Sequence, residues 1–249
     1  MPGTPEPPVV NEAPDVAAGL RAVRARIERA ARACGRAPES VALLAVAKGH
    51  PPAALAAAHA AGQRRFGESY LQEALAKREA LSGLEAEWHF IGPIQSNKAK
   101  RIAAHFDWVH SLDRPELAER LHRHRPEALA PLEVCIQVNV SGEASKRGVA
   151  PEKAAALAEV VAGLSRLRLR GLMAIPAPER DPRRQRIPFA ALRALLEDLR
   201  TRGHTGLDTL SMGMSADLEA AVAEGATIVR VGTAIFGPRP LRRRAPPSG

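Results

Sequence analysis

The sequence predicts a single-domain (β/α)8 TIM barrel. Eight strand-like apolar runs alternate with helical stretches, no Gly/Ser-rich linker interrupts them, and the composition does not change along the way. Regular β-then-α order requires right-handed crossovers and a parallel sheet. Eight such units in about 200 residues, with no room for a cap domain, fit a closed barrel. The alternative is a doubly wound open sheet, which usually carries a Gly-rich phosphate turn after its first strand. Here that turn carries Lys48.

The elements follow in order. Residues 1–14, rich in Pro and without periodicity, read as a disordered tail. A helix over about 15–34 precedes the barrel. The first strand is VALLAVAK (41–48), followed by the Ala-rich helix PAALAAAHAAG. Then come RRFGE (64–68) with SYLQEALAKREAL, EWHFIG (87–92) with SNKAKRIAAHF, and FDWVHSL (106–112) with RPELAERLHRHR. LEVCIQVNV (132–140) leads to PEKAAALAEVVAGL, LRGLMAI (169–175) to FAALRALLEDLRTRG, and LDTLSMG (207–213) to SADLEAAVAEGA. ATIVRVGT (226–233) closes the set. The barrel domain spans 15–238, and 239–249 is expected to be a basic disordered tail with Arg242 to Arg244 as a solvated cluster.

The 249 residues are 45% hydrophobic, enough for a large core, and carry a net charge of +9. That charge invites a nucleic-acid reading, but the basic residues are scattered and only 3% of the chain is aromatic, so no stacking platform is in sight. Cys34 and Cys135 have no metal or redox spacing and read as buried or half-buried thiols. No export signal and no membrane-length apolar run occurs, so a cytoplasmic protein is expected. No heptad or exposed apolar stripe asks for a dimer, and the chain is read as a monomer. No metal-ligand pattern and no catalytic acid/base pair is found.

In such a barrel the chemistry sits at the C-terminal strand ends, with phosphate often held after strands seven and eight. Strand one ends at Lys48. The plain reading is a lysine whose stem lies on apolar surface. The sharper one is a Schiff-base lysine, whose ammonium is disfavoured by partial burial so that a free amine can attack an aldehyde. Strand seven ends in Ser211, Met212, Gly213, Met214 and Ser215, two hydroxyls and a run of backbone N–H groups ahead of a helix that Ser215 is expected to cap. Strand eight adds Gly232 and Thr233. Arg230, two residues before Gly232, faces the same side and, inside a barrel, is expected to meet a ligand atom or a carboxylate. A phosphorylated aromatic aldehyde such as pyridoxal 5′-phosphate (PLP) satisfies the lysine, the cradle and the arginine. A Schiff-base aldolase acting on a sugar phosphate would use the same lysine and cradle.

The segments LLAVAKGHP, RRFGESYLQEA, EWHFIGPIQSNKAK, QVNVSGEASKRG, LRGLMAIPAP and LSMGMSADLEAAVAEGATIVRVGTAIFG closely resemble the pyridoxal phosphate homeostasis proteins, in the same order, over roughly residues 20–238. The resemblance implies a barrel like the N-terminal domain of alanine racemase (PLP fold type III). It also implies a PLP imine on Lys48, phosphate contacts from Ser211–Ser215 and Gly232–Thr233, and Arg230 facing the pyridine nitrogen. The family usually has Ser at Ala47 and Asn at Ser69. Ser69 is kept as a cofactor-binding candidate that also caps the next helix.

A racemase would need a second acid/base from a β-rich domain that this chain lacks. An arginine at the ring nitrogen also weakens the electron sink. A PLP carrier and homeostasis factor without efficient turnover is therefore preferred over a PLP-dependent racemase, with PLP-dependent apo-enzymes as its possible partners. Tyr70, the sole tyrosine, is read as a half-buried packing residue, His89 as a core histidine, and Asn97 or Ser96 as a helix cap. Lys146 and Arg147, after strand five, are read as part of a solvated loop, with a place on the pocket's barrel face as the alternative.

Overall fold

The computed structural model describes residues 15–143 and 146–239. The tails expected at 1–14 and from 240 onward lie outside the described residues, but Arg239 is described and lies against Gly49. Eight parallel strands close into a barrel in sequence order. They are β1 (Ala42–Val46), β2 (Arg65–Glu68), β3 (Glu87–Phe90), β4 (Trp108–Leu112), β5 (Leu132–Gln137), β6 (Leu167–Met173), β7 (Thr209–Ser211) and β8 (Ile228–Val231). Each lies within or beside the run expected for it. β6 begins two residues before the run expected for it, β2 and β4 end where theirs do, and the others end early because the last residues turn out of the ladder into the βα loops.

Between them lie α2 (Pro52–Ala60), α3 (Leu71–Ala80), α4 (Ala99–His105), α5 (Pro115–His124), α6 (Ala154–Ala162), α7 (Pro182–Thr201) and α8 (Leu218–Ala223). α1 (Val16–Ala33) precedes the barrel and the short α9 (Thr233–Phe236) ends it. α1 is capped by Asp15, whose Oδ1 accepts from Ala18 N at 2.9 Å. α7 begins seven residues before the expected FAALRALLEDLRTRG. The segment PRRQRIP lies outside the helix expected there, yet it is helical: Pro182 occupies the first turn, Asp181 accepts from Arg183 N, and Arg186 reaches Glu224 at 2.6 Å. Those contacts offset the one ladder bond that Pro188 cannot donate. No helix among the described residues is long and apolar enough to cross a membrane.

Strand alternation divides the core into two layers. Outward residues such as Ala45, Phe66, Phe90, Val109, Ile136, Leu172 and Val229 pack under the helices as one continuous apolar cluster. Each large side chain buried there contributes about 1.5–3 kcal/mol. Inside the barrel the apolar group is small, Trp108, Cys135 and Met173, and the remaining buried residues there include His89, His110, Ser211 and Arg230. This interior is therefore polar, and its groups must satisfy one another. Cys135 fits the buried thiol expected, whereas Cys34 is exposed because it is the C-cap of α1.

Gly171 on β6 lies so close to β7 that a Cβ there would meet the carbonyl carbon of Thr209 at 2.7 Å. Gly171→Ala is expected to lower the urea-unfolding free energy by about 3 kcal/mol or more. Gly83→Ala, whose Cβ would meet nothing within 4 Å, should stay within about 0.5 kcal/mol of wild type.

Candidate functional site

Barrel closure makes β8 the neighbour of β1, with Leu44 opposite Arg230 and Ala45 opposite Val231. One step further along, Gly232 sits so near β1 that a Cβ would approach Val46 O to 2.9 Å. On the other side, Arg230 N donates to Gly213 O at 2.9 Å. The ends of β7, β8 and β1 therefore form one continuous rim, which carries the Ser211–Ser215 turn, the Gly232–Thr233 turn and Lys48.

Lys48 is half-buried, just past β1, on the barrel-facing side by alternation. Its amine is held below the usual lysine range, first by burial, then by the positive charges of Arg239 and Arg230; Glu68 opposes this weakly. An amine so placed spends more of its time unprotonated and nucleophilic than one in water.

Arg230 is 4% exposed and its guanidinium makes no ion pair among the described residues. It donates instead to Ser211 O at 2.5 Å, Ser211 Oγ at 2.9 Å and Ala174 O at 2.8 Å. Burial lowers its pKa to about 10, with the Asp217 carboxylate working in the opposite direction. The carboxylate partner anticipated from sequence is thus not in contact, and carbonyl oxygens take its place.

Ser211 is fully buried, its hydroxyl engaged by Arg230 and His110. Met212 and Gly213 are buried, Ser215 is half-buried and Met214 is partly exposed. Gly213 has φ +90°, and a Cβ there would press on Ala221 at 2.5 Å, so this turn demands glycine. Ser215 does not cap α8. That position belongs to Asp217, whose Oδ1 instead accepts from Met214 N at 2.6 Å and closes the turn. From outside, α1 braces the same turn through Arg26, which donates to Ser215 O at 2.9 Å and pairs with Glu219 at 2.8 Å. Thr233 is exposed at the first position of α9, not the end of a strand.

Behind Lys48 lies a buried charge cluster. Lys77 of α3, 3% exposed, pairs with Glu68 at 2.7 Å and Glu73 at 2.5 Å and also donates to Ala47 O at 2.7 Å. Glu73 accepts from Gly49 N at 2.5 Å. The backbone is therefore gripped on both sides of Lys48, at the carbonyl before it and the amide after it. Burial raises the Glu68 carboxyl to about 7, against the opposing charge of Lys77, and its Oε2 has no partner.

Ser69 is half-buried at the end of β2 and does not cap α3. Tyr70 occupies the N-cap position without a side-chain cap bond. Tyr70 is 54% exposed, not a packing residue. Nor do Ser96 and Asn97 cap: they lie within a 3-10 turn whose N-cap is Gln95. A cavity of about 1340 Å³ opens on the β1–β3 side, lined among others by Gly49, Ser69, Tyr70, Lys98 and Arg239; of the predicted site residues only Ser69 lines it, and Lys48 does not. Lys146 and Arg147 lie in the loop after β5, on the C-terminal face of the barrel. Among the described residues no group of three or more His, Cys, Asp or Glu could hold a metal ion.

Sequence reasoning missed the Lys77 cluster, Arg239 and the His110–Ser211 contact. A lysine on the strand-facing side of an amphipathic helix was the available signal for the first. The other two arise only from closure of the barrel.

Residues 19–240 match the family described as alanine racemase, N-terminal domain. A pyridoxal phosphate homeostasis protein of Pseudomonas aeruginosa is 61% identical over 224 residues, which is 90% of this chain and 96% of that one. Among solved structures, PipY of Synechococcus elongatus PCC7942 with PLP bound is 39% identical with a TM-score of 0.79, covering 89% of this chain and all of PipY. Alanine racemase from Corynebacterium glutamicum shares the fold, with a TM-score of 0.66 at 18% identity, covering 91% of this chain and 64% of the racemase.

The raised Glu68 pKa has a signed consequence. Because the folded state binds this proton more tightly than the unfolded chain, Glu68 favours folding at low pH, and that contribution is lost as pH rises through about 7. Wild type is expected to lose on the order of 2 kcal/mol relative to Glu68→Gln between about pH 5 and pH 8, measured by urea unfolding. A difference that does not change with pH would show that Glu68 titrates normally.

Proposed function

This chain belongs to the pyridoxal phosphate homeostasis proteins, and on that footing we propose that it holds PLP at the C-terminal mouth of its barrel, by an imine to Lys48, and carries it without efficient turnover. The observation that carries this reading is the pairing of a half-buried, pKa-lowered amine with a buried guanidinium on the adjacent strand that, among the described residues, has no carboxylate in contact and feels only the field of Asp217. Leaving a buried cation without a counter-charge is costly, so the site is suited to an electron-rich group brought by a ligand.

The residues fit PLP. Lys48 supplies the amine, and its burial and the neighbouring positive charges keep that amine available. The turns Ser211–Ser215 and Gly232–Thr233 lie beside each other on the rim, with Met212 N and Met214 N already taken by Ile228 O and Asp217 Oδ1, and the close approach of Gly232 to Val46 leaves no room for a side chain between them. Arg230 donates from a fixed position toward an acceptor such as a ring nitrogen. Ser69 lies across Lys48 from those turns, at the edge of the cavity. PLP would bring an aldehyde that bonds to an amine and a ring that withdraws electrons.

Turnover is a separate matter. An arginine does not hand a proton to a ring nitrogen as a carboxylic acid does, which limits the ring as an electron sink. The one tyrosine stands exposed at the rim of the cavity. Storage and delivery of PLP, with PLP-dependent apo-enzymes as recipients, is the function this arrangement supports best. The relatives named for PLP homeostasis support the same reading.

Titration with PLP followed by visible absorbance tests it. Wild type should gain a long-wavelength imine band that disappears on reduction with borohydride, and Lys48→Ala should give no band while keeping its circular dichroism. Incubated with L-alanine or L-serine, the loaded protein should leave the optical rotation unchanged. A band that survives in Lys48→Ala refutes the linkage, and steady loss of rotation refutes the carrier reading in favour of a racemase.

A further inference from the structure

A line of hydrogen bonds runs through the barrel interior from one mouth toward the other. Glu87, at the start of β3, meets His89 Nε2 at 2.6 Å; His89 Nδ1 meets His110 Nε2 at 2.8 Å; His110 Nδ1 meets Ser211 Oγ at 2.7 Å; and Arg230 Nη1 donates to that same Oγ at 2.9 Å. His89, His110 and Ser211 are each fully buried, and alternation turns all of them inward from β3, β4 and β7. We infer that Glu87, His89, His110 and Ser211 form a one-directional positioning relay that fixes the tautomers of both histidines and holds Arg230 in its donating orientation.

The direction follows from the two ends. Glu87 is held ionised, chiefly by its bond to His89, so its carboxylate only accepts and His89 must donate from Nε2. Burial keeps both imidazoles neutral. A neutral ring with its proton on Nε2 accepts at Nδ1, so His110 donates to His89 from its own Nε2. His110 Nδ1 is then an acceptor, which takes the Ser211 hydroxyl proton. That leaves the Ser211 oxygen to accept from Arg230, whose guanidinium only donates. Every group in the series is satisfied in this one arrangement, and reversing any member would set two donors or two acceptors face to face. Aligned bonds of this kind reinforce one another in a low-dielectric interior.

One other group shares an atom of the series: Arg65 Nε donates to Glu87 Oε1, the oxygen that His89 Nε2 meets, and a carboxylate oxygen can accept both. Trp108 stacks on His89 with ring centroids 5.4 Å apart, and Arg170 lies over Trp108. Arg65 pairs with Glu87 at 3.2 Å, and Asp107 and Arg65 act on His89 only through their fields. The guanidinium is thus tied through four hydrogen bonds to a carboxylate at the opposite end of the barrel. The consequence for ligand binding rests on the role given to Arg230 above; the tautomers do not.

Imidazole nitrogen–proton correlation spectra of the ligand-free protein at neutral pH read the relay directly. Both His89 and His110 should appear neutral with the proton on Nε2. A charged ring, or a proton on Nδ1 of either, overturns the inference. Glu87→Ala should disturb the His89 and His110 patterns, weaken PLP binding roughly two- to tenfold, the equivalent of one ordinary hydrogen bond, and move the maximum of the bound-PLP band. Glu87→Gln keeps an acceptor oxygen and should restore all three, and Arg65→Ala, which removes the second donor to Glu87 Oε1 but keeps the His89 bond, should leave them as in wild type. If Arg65→Ala matches Glu87→Ala, the effect comes from local packing at that mouth and the relay is refuted. Wild-type spectra with the expected tautomers but no PLP band would refute the ligand reading and leave the relay standing.

Discussion

The pairing of β8 with β1 is the constraint on which the rest depends. It is the closing seam of the barrel, and it sets Arg230 opposite Leu44 and Gly232 against Val46. Without closure, Lys48 would stand at the edge of an open sheet with no cation beside it and no turn facing it. With closure, three loops distant in sequence share one rim. The seam sets Arg230 near Lys48, where its charge adds to burial and to Arg239 in lowering the Lys48 pKa.

Two buried polar systems hold the seam in place, one on each side of the sheet. Outside, Lys77 ties Glu68 and Glu73 to the backbone on either side of Lys48. Inside, Ser211 and the paired histidines take up the hydrogen bonds that Arg230 can make. Buried charge is weak evidence of added stability, since desolvation offsets much of the attraction. Its effect here is on geometry: few alternative arrangements satisfy every donor and acceptor, and so the amine and the guanidinium are kept at fixed places. The rim itself is braced from outside by α1, through Arg26 and Ser215.

The fold was legible because each strand is a short apolar run between breaker residues, and that pattern is local. Lys48, Arg230 and Gly232 were legible for a related reason: strand ends and the two-residue period give a face and a height without knowledge of the partner. Ser211 was found for its position, but its hydroxyl faces His110, 101 residues away, and no local pattern carries that pairing. Lys77 reads as a surface lysine on a helix until α3 is laid on β1 and β2. The caps went astray because Ser69, Ser96 and Ser215 have the right chemistry two or three residues before the α-helix begins. The start of α7 was hidden by Pro188, which is tolerated in its place by contacts with α8 and the following turn.

The central claim is that one particular amine, Lys48, forms the bond. The most direct measurement is to load the protein with PLP, reduce it with borohydride, digest it and locate the pyridoxyl group by mass spectrometry. The account requires the modification on Lys48 and on no other lysine at one equivalent. A pyridoxyl group on Lys77, Lys98 or Lys146 with Lys48 unmodified would contradict it.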